Sequence, residues 1–354
     1  MVQRDRSIGS RWRNQGCFGL ATALLLGGLP AGVARAQSAA APIVISGSST
    51  VFPITTEAIR AFRQTRAGRD VRFDLRETGT SAGFRDFCSG KVPISNASRP
   101  ISSKELKACA ARGIRFIELP IAFDALTVAV NPRNTWARQI STQELSTLWS
   151  RQAQGRINRW NQVNSSWPAS PIKLCGPGKD SGTFDYFNKA INGSAENSRT
   201  DFSSSEDDNV VVKCIAGNPQ ALGYVGFGWY AANTAKLRAM AIKGAKGAVL
   251  PSVEAVQQER YNPLSRPLFI YVNNEMLLKQ DNLRRFIKFY LQDGPRMAKT
   301  ARFIPLPDST YRLVESKLYR HVLGTSFGGD LPVGLTIGEA LRRSFDQTKQ
   351  PQFR

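Results

Sequence analysis

The sequence predicts an α/β protein with mostly parallel sheets, and three observations predict it. Short apolar strands alternate with amphipathic helical stretches along most of the chain. Four turns rich in glycine and hydroxyl residues recur: three join a strand directly to a helix, and the third lies between a short strand and the next helix. The composition, 42% hydrophobic and 21% charged over 354 residues, is that of a globular protein with length for one or two cores.

In chain order, the apolar run Ile43-Val44-Ile45 predicts a buried strand. It runs into the first turn, Gly47-Ser48-Ser49-Thr50, and a helix carrying Ile54, Ala58, Ile59 and Phe62 on one face. Val71 to Arg76 alternates apolar and polar residues as a half-buried strand does; the second turn, Gly79-Thr80-Ser81-Ala82-Gly83, leads into a helix with Phe84, Phe87 and Cys88. The short strand from Val92 enters the third turn, Ser95 to Pro100, and a helix follows over 103–111. Strands are predicted over 114–119 and 125–130, and a helix over 142–149. Ile172 to Cys175 is a strand before the fourth turn, Gly176-Pro177-Gly178-Lys179-Asp180-Ser181-Gly182-Thr183, and the helix of Phe184, Phe187 and Ile191. Beyond the polar stretch 192–209 come a helix over 210–216, strands over 222–227 and 267–272, and helices over 282–292 and 308–323, the last containing His321.

The formal net charge of +21 favours anionic partners. No long basic run and no interleaving of basic with aromatic residues points to nucleic acid. Residues 1–36 hold five arginines and one aspartate, so about +17 stays on the remainder. This segment has the layout of a cleavable secretory signal: an Arg-rich start, an apolar stretch from Phe18 to Leu29, and Ala34-Arg35-Ala36 before the cleavage point. The apolar stretch is broken by Gly27, Gly28 and Pro30 and falls short of the ~20 residues of a membrane span. Four cysteines remain after cleavage, Cys88, Cys109, Cys175 and Cys214, as expected of disulfides in an exported chain. The shorter loops favour Cys88 with Cys109 and Cys175 with Cys214; a zinc site lacks any C-x-x-C pair.

A turn after a strand and before a helix is an anion site in outline, because the first N–H groups of a helix lack intrahelical partners and its dipole favours negative charge there. One such turn is equally an ordinary βα connection; four in one chain point to a small tetrahedral oxyanion. Nucleotides are disfavoured, since neither a P-loop nor a G-x-G-x-x-G after a strand is present. The rival reading is a hydrolase, because Gly79 to Gly83 fits the G-x-S-x-G nucleophile elbow around Ser81. It needs a base, and nothing around His321, the single histidine, marks it as one.

Five stretches, in order, carry a resemblance: Gly47 to Thr55, Ser95 to Ile101, Gly176 to Phe184, Ser205 to Val210 and Pro263 to Leu268. They resemble the phosphate-binding protein of the Pst ABC transporter (the PstS family, in its SphX-like branch). The resemblance implies a two-lobed periplasmic binding protein of type II, each lobe a mixed, mostly parallel sheet flanked by helices, with two crossover strands as hinge. It divides the chain into a signal peptide over 1–36, a first lobe from 37–122 and 265–354, and a second lobe from 123–264. It implies a non-catalytic, cofactor-free monomer in the periplasm that binds inorganic phosphate and meets the membrane only through permease subunits. The implied ligand groups are Ser49, Thr50, the Val51 N–H, Thr80, Ser81, Ser181, Gly182 and Thr183. Receptors for sulfate or arsenate are the nearest alternatives.

Two departures matter. Where the family has an aspartate that accepts the proton of bound phosphate, this chain has Arg99, and where it has an arginine before the Ser-Gly-Thr turn, this chain has Pro177. Arg99 is therefore expected to contact phosphate, unless it pairs with a carboxylate such as Asp180 or Asp124. The proton acceptor is then sought among Asp180, Asp207 and Asp208, with Glu206 beside them.

Overall fold

The computed structural model describes residues 41–244, 247–327, 329 and 333–334. The expected signal peptide over 1–36 and the end of the basic tail lie outside the described residues. β1 (Ile43–Gly47) leads into α1 (Phe52–Arg63), β2 (Phe73–Glu77) into α2 (Thr80–Cys88), and β3 (Ile94–Ala97) towards α3 (Ser103–Ala111). The long β4 (Phe116–Ala125) runs almost directly into β5 (Thr127–Val130). Next come β6 (Gln139–Ser141), α4 (Thr142–Trp149), two short 3-10 turns, β7 (Lys173–Pro177), α5 (Gly182–Asn192), β8 (Ser203–Ser205), α6 (Asp208–Ala216), β9 (Ala221–Val225) and α7 (Phe227–Ala232). β10 (Arg238–Ala239), β11 (Ala241–Gly244), β12 (Gly247–Val249) and α8 (Val253–Gln257) precede the return strand β13 (Ser265–Asn273). α9 (Asn274–Lys279), α10 (Asp281–Gln292), α11 (Gly294–Thr300) and α12 (Asp308–Tyr319) follow it.

The strands form two five-stranded sheets, ordered β2-β1-β3-β13-β4 and β10-β5-β9-β7-β8, and a small sheet β12-β11-β6. Each large sheet is mixed. Pairing is parallel among β2, β1 and β3 and among β9, β7 and β8, the strands of the βα units. It is antiparallel wherever β13, β4, β5 or β10 takes part. Half of the pairings are thus antiparallel, because each sheet receives strands that cross over from its neighbour.

The crossings lie side by side. The chain leaves the first sheet at Leu126 and returns at Leu264, and the Leu126 N–H donates to the Leu264 carbonyl at 2.7 Å. β4 and β13 are buried along their whole lengths, so apolar side chains on both faces anchor them. One apolar cluster spans both sheets through Phe84, Phe123, Leu126, Trp149 and Tyr224. A second packs Ile45, Phe62, Leu119, Ile270 and Phe286 between the first sheet and its helices.

Local signals explain several boundaries. Ser102 and Glu105 form a reciprocal capping box at the start of α3, as do Ser141 and Glu144 at α4. β8 escapes sequence reading because Ser203-Ser204-Ser205 has no apolar pattern; only pairing with β7 makes it a strand. His321 is not helical: α12 stops at Tyr319, and His321 takes a left-handed φ of 48° with its ring bonded to Asn274 at 2.7 Å.

Disulfides join Cys88 to Cys109, tying α2 to α3, and Cys175 to Cys214, tying β7 to α6. The second closes a sequence separation of 39 residues. Its loss is expected to cost about 2–4 kcal/mol. Scanning calorimetry of the Cys175→Ser/Cys214→Ser variant should show a thermal midpoint several degrees below that of the wild type.

Candidate functional site

The first and last hydroxyl turns meet. Thr50, just before α1, and Thr183, in the first turn of α5, place their hydroxyl oxygens 3.0 Å apart in a buried setting. The second turn joins them: the Thr80 hydroxyl lies 3.1 Å from that of Ser98 and accepts the Ser98 N–H at 3.2 Å. Gly182 sits against both, since a Cβ there would come within 2.6 Å of the Thr80 hydroxyl and 2.5 Å of the Ser98 hydroxyl. The N-termini of α1, α2 and α5 therefore point into one small volume, two from the first sheet and one from the second. Each brings roughly half a positive elementary charge from its dipole.

Backbone and caps hold this geometry. Gly79 begins α2 with φ 85°, and a Cβ there would lie 2.6 Å from the Asp180 carbonyl. Ser81 donates its N–H to that same carbonyl at 2.8 Å. Ser181 caps α5 by accepting the Thr183 N–H at 3.1 Å. The Val51 N–H points to the Ser48 hydroxyl at 3.4 Å, and Ser49 is buried with its carbonyl facing the Trp229 indole N–H.

The cation at the centre is Arg266, near the start of β13 and fully buried. It is register partner to Asp124 on β4, and their ion pair measures 2.8 Å. Its other N–H groups donate to the Gly182 carbonyl at 3.0 Å, the Thr183 hydroxyl at 2.8 Å and the Thr50 hydroxyl at 3.3 Å. A hydroxyl oxygen that accepts from a guanidinium turns its own hydrogen elsewhere. Arg266 thereby sets Thr50 and Thr183 up as donors, with one of their two hydrogens lying between them in the 3.0 Å contact and the other left to turn elsewhere. The sequence reading gave Arg266 and Ser98 no role, although both lie in the resembling stretches. Arg266 stands 142 positions from Asp124, and only strand pairing brings them together.

Arg99 is placed differently from the expectation. All five of its N–H groups are used by the protein: Nε donates to Asp185 at 2.6 Å, and the two terminal nitrogens donate to both Glu105 oxygens at 2.8 Å, to the Pro100 carbonyl and to the Ser81 hydroxyl. None is left for an anion. The expected alternatives Asp180 and Asp124 are not its partners either, because they are held by Arg85 and Arg266.

Among the acidic candidates, Asp208 and Glu206 are raised by burial and Asp180 is lowered. Asp180 is partly exposed and ion-paired with Arg85, which holds its carboxyl below the usual range. Asp207 caps α6 by accepting the Asn209 N–H at 2.8 Å. Glu206 accepts the Asp180 N–H at 3.0 Å through one oxygen. Asp208 is 1% exposed; among the described residues its oxygens lack a hydrogen bond of good geometry, and the Ser49 hydroxyl lies beside them. Burial pushes its pKa up to about 7, partly offset by the neighbouring Ser49 hydroxyl and reinforced by the charge of Glu77. Glu77, at the end of β2, is itself pushed up to about 7 by burial and by Asp207.

Two α/β sheets joined by paired crossings, with helix N-termini from both facing one buried arginine, define a bilobed substrate-binding protein. The chain belongs to the PBP superfamily, whose domain matches residues 32–293. It is 44% identical over 301 residues to protein SphX of Synechocystis sp., covering 85% of this chain and 89% of that one. It is 33% identical over 306 residues to the phosphate-binding protein PstS of Staphylococcus aureus, covering 85% and 90% respectively. A possible phosphate binding protein from Planctomyces limnophilus matches in structure with a TM-score of 0.58 at 36% identity, over 80% of this chain and 99% of that one. The fold is shared with a putative phosphate ABC transporter substrate-binding protein of Clostridium perfringens, at a TM-score of 0.64, 23% identity and coverage of 75% and 100%. Among the described residues, no helix is long and apolar enough to cross a membrane.

Because Gly182 touches Thr80 and Ser98 across the cleft, Gly182→Ala should hinder closure without unfolding either sheet. The expected outcome is an anion affinity reduced about tenfold or more, with a near-normal thermal midpoint of the ligand-free protein. Titration calorimetry and thermal melts check both.

Proposed function

We propose that the protein binds inorganic phosphate between its lobes in the periplasm and delivers it, as a monomer, to the permease subunits of an ABC transporter. Relatives named for phosphate binding support this reading. So does a cleft whose donors are hydroxyls and helix N-termini. In this reading residues 37–122 and 265–354 form one lobe, 123–264 the other, and the lobes close about the crossings at Leu126 and Leu264. The ligand groups are Ser49, Thr50, the Val51 N–H, Thr80, Ser181, Gly182 and Thr183, with Ser81 at the edge. Arg266 is added as the buried cation, and Arg99 is withdrawn.

The observation that carries phosphate rather than sulfate is Asp208, a buried carboxylate beside the Ser49 hydroxyl whose oxygens lack a well-formed hydrogen bond among the described residues. Phosphate keeps a proton at neutral pH and can donate it to an ionised Asp208. Sulfate has none and would face a bare carboxylate. Arsenate shares the geometry and the proton, so it should compete. Hydrolysis at Ser81 is disfavoured, because its hydroxyl accepts from Arg99, a guanidinium that cannot serve as a base.

The sign of the pH effect follows. Asp208 binds its proton more tightly folded than unfolded, so the stability it contributes is lost as pH rises from about 4 towards 7. Asp208→Asn should therefore melt higher than wild type at about pH 8 and show a flatter stability profile between those values. Below about pH 7 a protonated Asp208 can donate to sulfate, and above it cannot. Competition calorimetry should show wild-type discrimination against sulfate rising with pH. In Asp208→Asn that discrimination should drop about tenfold or more and lose its pH dependence. Sulfate rejection unchanged in Asp208→Asn would remove Asp208 from the site.

A further inference from the structure

We propose that Arg99 is a preset latch between the lobes: it holds the closed state by gripping Asp185 and thereby sets how slowly the bound anion leaves. The proposal rests on the phosphate reading above and adds a residue that does not touch the ligand.

Arg99 follows β3 in the first lobe, and Asp185 lies in the first turn of α5 in the second. Their ion pair, at 2.6 Å, is nearly buried, with side-chain exposures of 6% and 17%. The arginine is fixed before Asp185 arrives. Glu105 takes both of its terminal nitrogens and is itself held by the Ser102 N–H and hydroxyl within the α3 capping box. The Pro100 carbonyl and the Phe84 ring, 5.5 Å from the guanidinium carbon, complete the seat on the same lobe. Only Nε is turned across the cleft. Little rotamer freedom is left to lose when the pair forms, which makes a long side chain effective as a clasp.

The balance of charge fits a clasp. At Arg99, burial works against the cation, but hydrogen bonding and the charges of Glu105 and Asp185 outweigh it and keep the pKa above its ordinary value. At Asp185, burial raises the pKa more than Arg99 lowers it. Asp185 thus gives up hydration on closing, and Arg99 offsets part of that cost. A second pair across the same cleft, Arg85 with Asp180, is too exposed to act alike, at 63% and 39%. The buried clasp adjoins the ligand turns directly, because Ser81 bonds both Arg99 and the Asp180 backbone. Closure of the second turn on the fourth therefore brings Asp185 to Arg99.

The test separates a latch from a ligand contact by sign. Phosphate affinity and release rate are measured by calorimetry and stopped flow for wild type, Arg99→Gln, Asp185→Asn and the double variant. A latch predicts that both single variants weaken binding and speed release, by roughly 5- to 150-fold. It also predicts that the double variant is no worse than the weaker single. A direct phosphate contact by Arg99 predicts the opposite for Asp185→Asn: removing a carboxylate frees the guanidinium and tightens binding. Tighter or unchanged binding in Asp185→Asn overturns the latch. Asp185→Asn is nearly isosteric, so it keeps the test decisive should Arg99→Gln fold poorly. A wild type that binds no phosphate overturns the phosphate reading instead, a result distinct from both.

Discussion

The buried pair of Arg266 and Asp124 is the constraint on which the rest of this structure depends. The two residues lie opposite each other on the strands that carry the chain between its sheets, both without solvent exposure. A charge so placed is tolerable only if it is paired and fully hydrogen-bonded. The pairing is met on every side: Asp124 also takes the Phe227 N–H, and Arg266 reaches the Gly182 carbonyl and the hydroxyls of Thr50 and Thr183. The partners come from both sheets. The ion pair at the crossing is therefore linked to the turns that face the cleft, and the crossing strands cannot shift without disturbing the donors.

Positive character at this point comes from sources that carry no proton to lose. Three helix N-termini and one guanidinium face the cleft, and burial raises the carboxyls of Glu77 and Asp208 nearby. An anion is attracted without any histidine or lysine in the donor set. Glu77 from the first sheet and Asp208 from the second contribute the opposing charge. Burial pushes both carboxyls up to about 7.

Arg99 and Arg266 show how one residue type serves two ends. Arg266 donates to two hydroxyls that, beyond the bond between them, keep one hydrogen to give away. Arg99 is saturated, with two carboxylates, a carbonyl and a hydroxyl as acceptors. A basic residue in the third turn looks like an anion contact until its neighbours are counted. Glu105, six positions later, serves α3 as its capping-box residue and Arg99 as its principal acceptor.

Much of this protein is written along the chain. Apolar periodicity determines the strands and helices of the βα units, and the hydroxyl turns stand out as candidate anion cradles, because these are local properties of a few neighbouring residues. The turns at Thr50, Thr80 and Thr183 were legible for that reason. Tertiary structure alone decided which charges face them. The partners of Arg266 lie far away in sequence, β8 exists only through its pairing with β7, and Arg99 is claimed by Asp185 from another helix. Ion pairing and burial are set by what the fold brings within a few ångströms, and charge spacing along a sequence does not encode that distance.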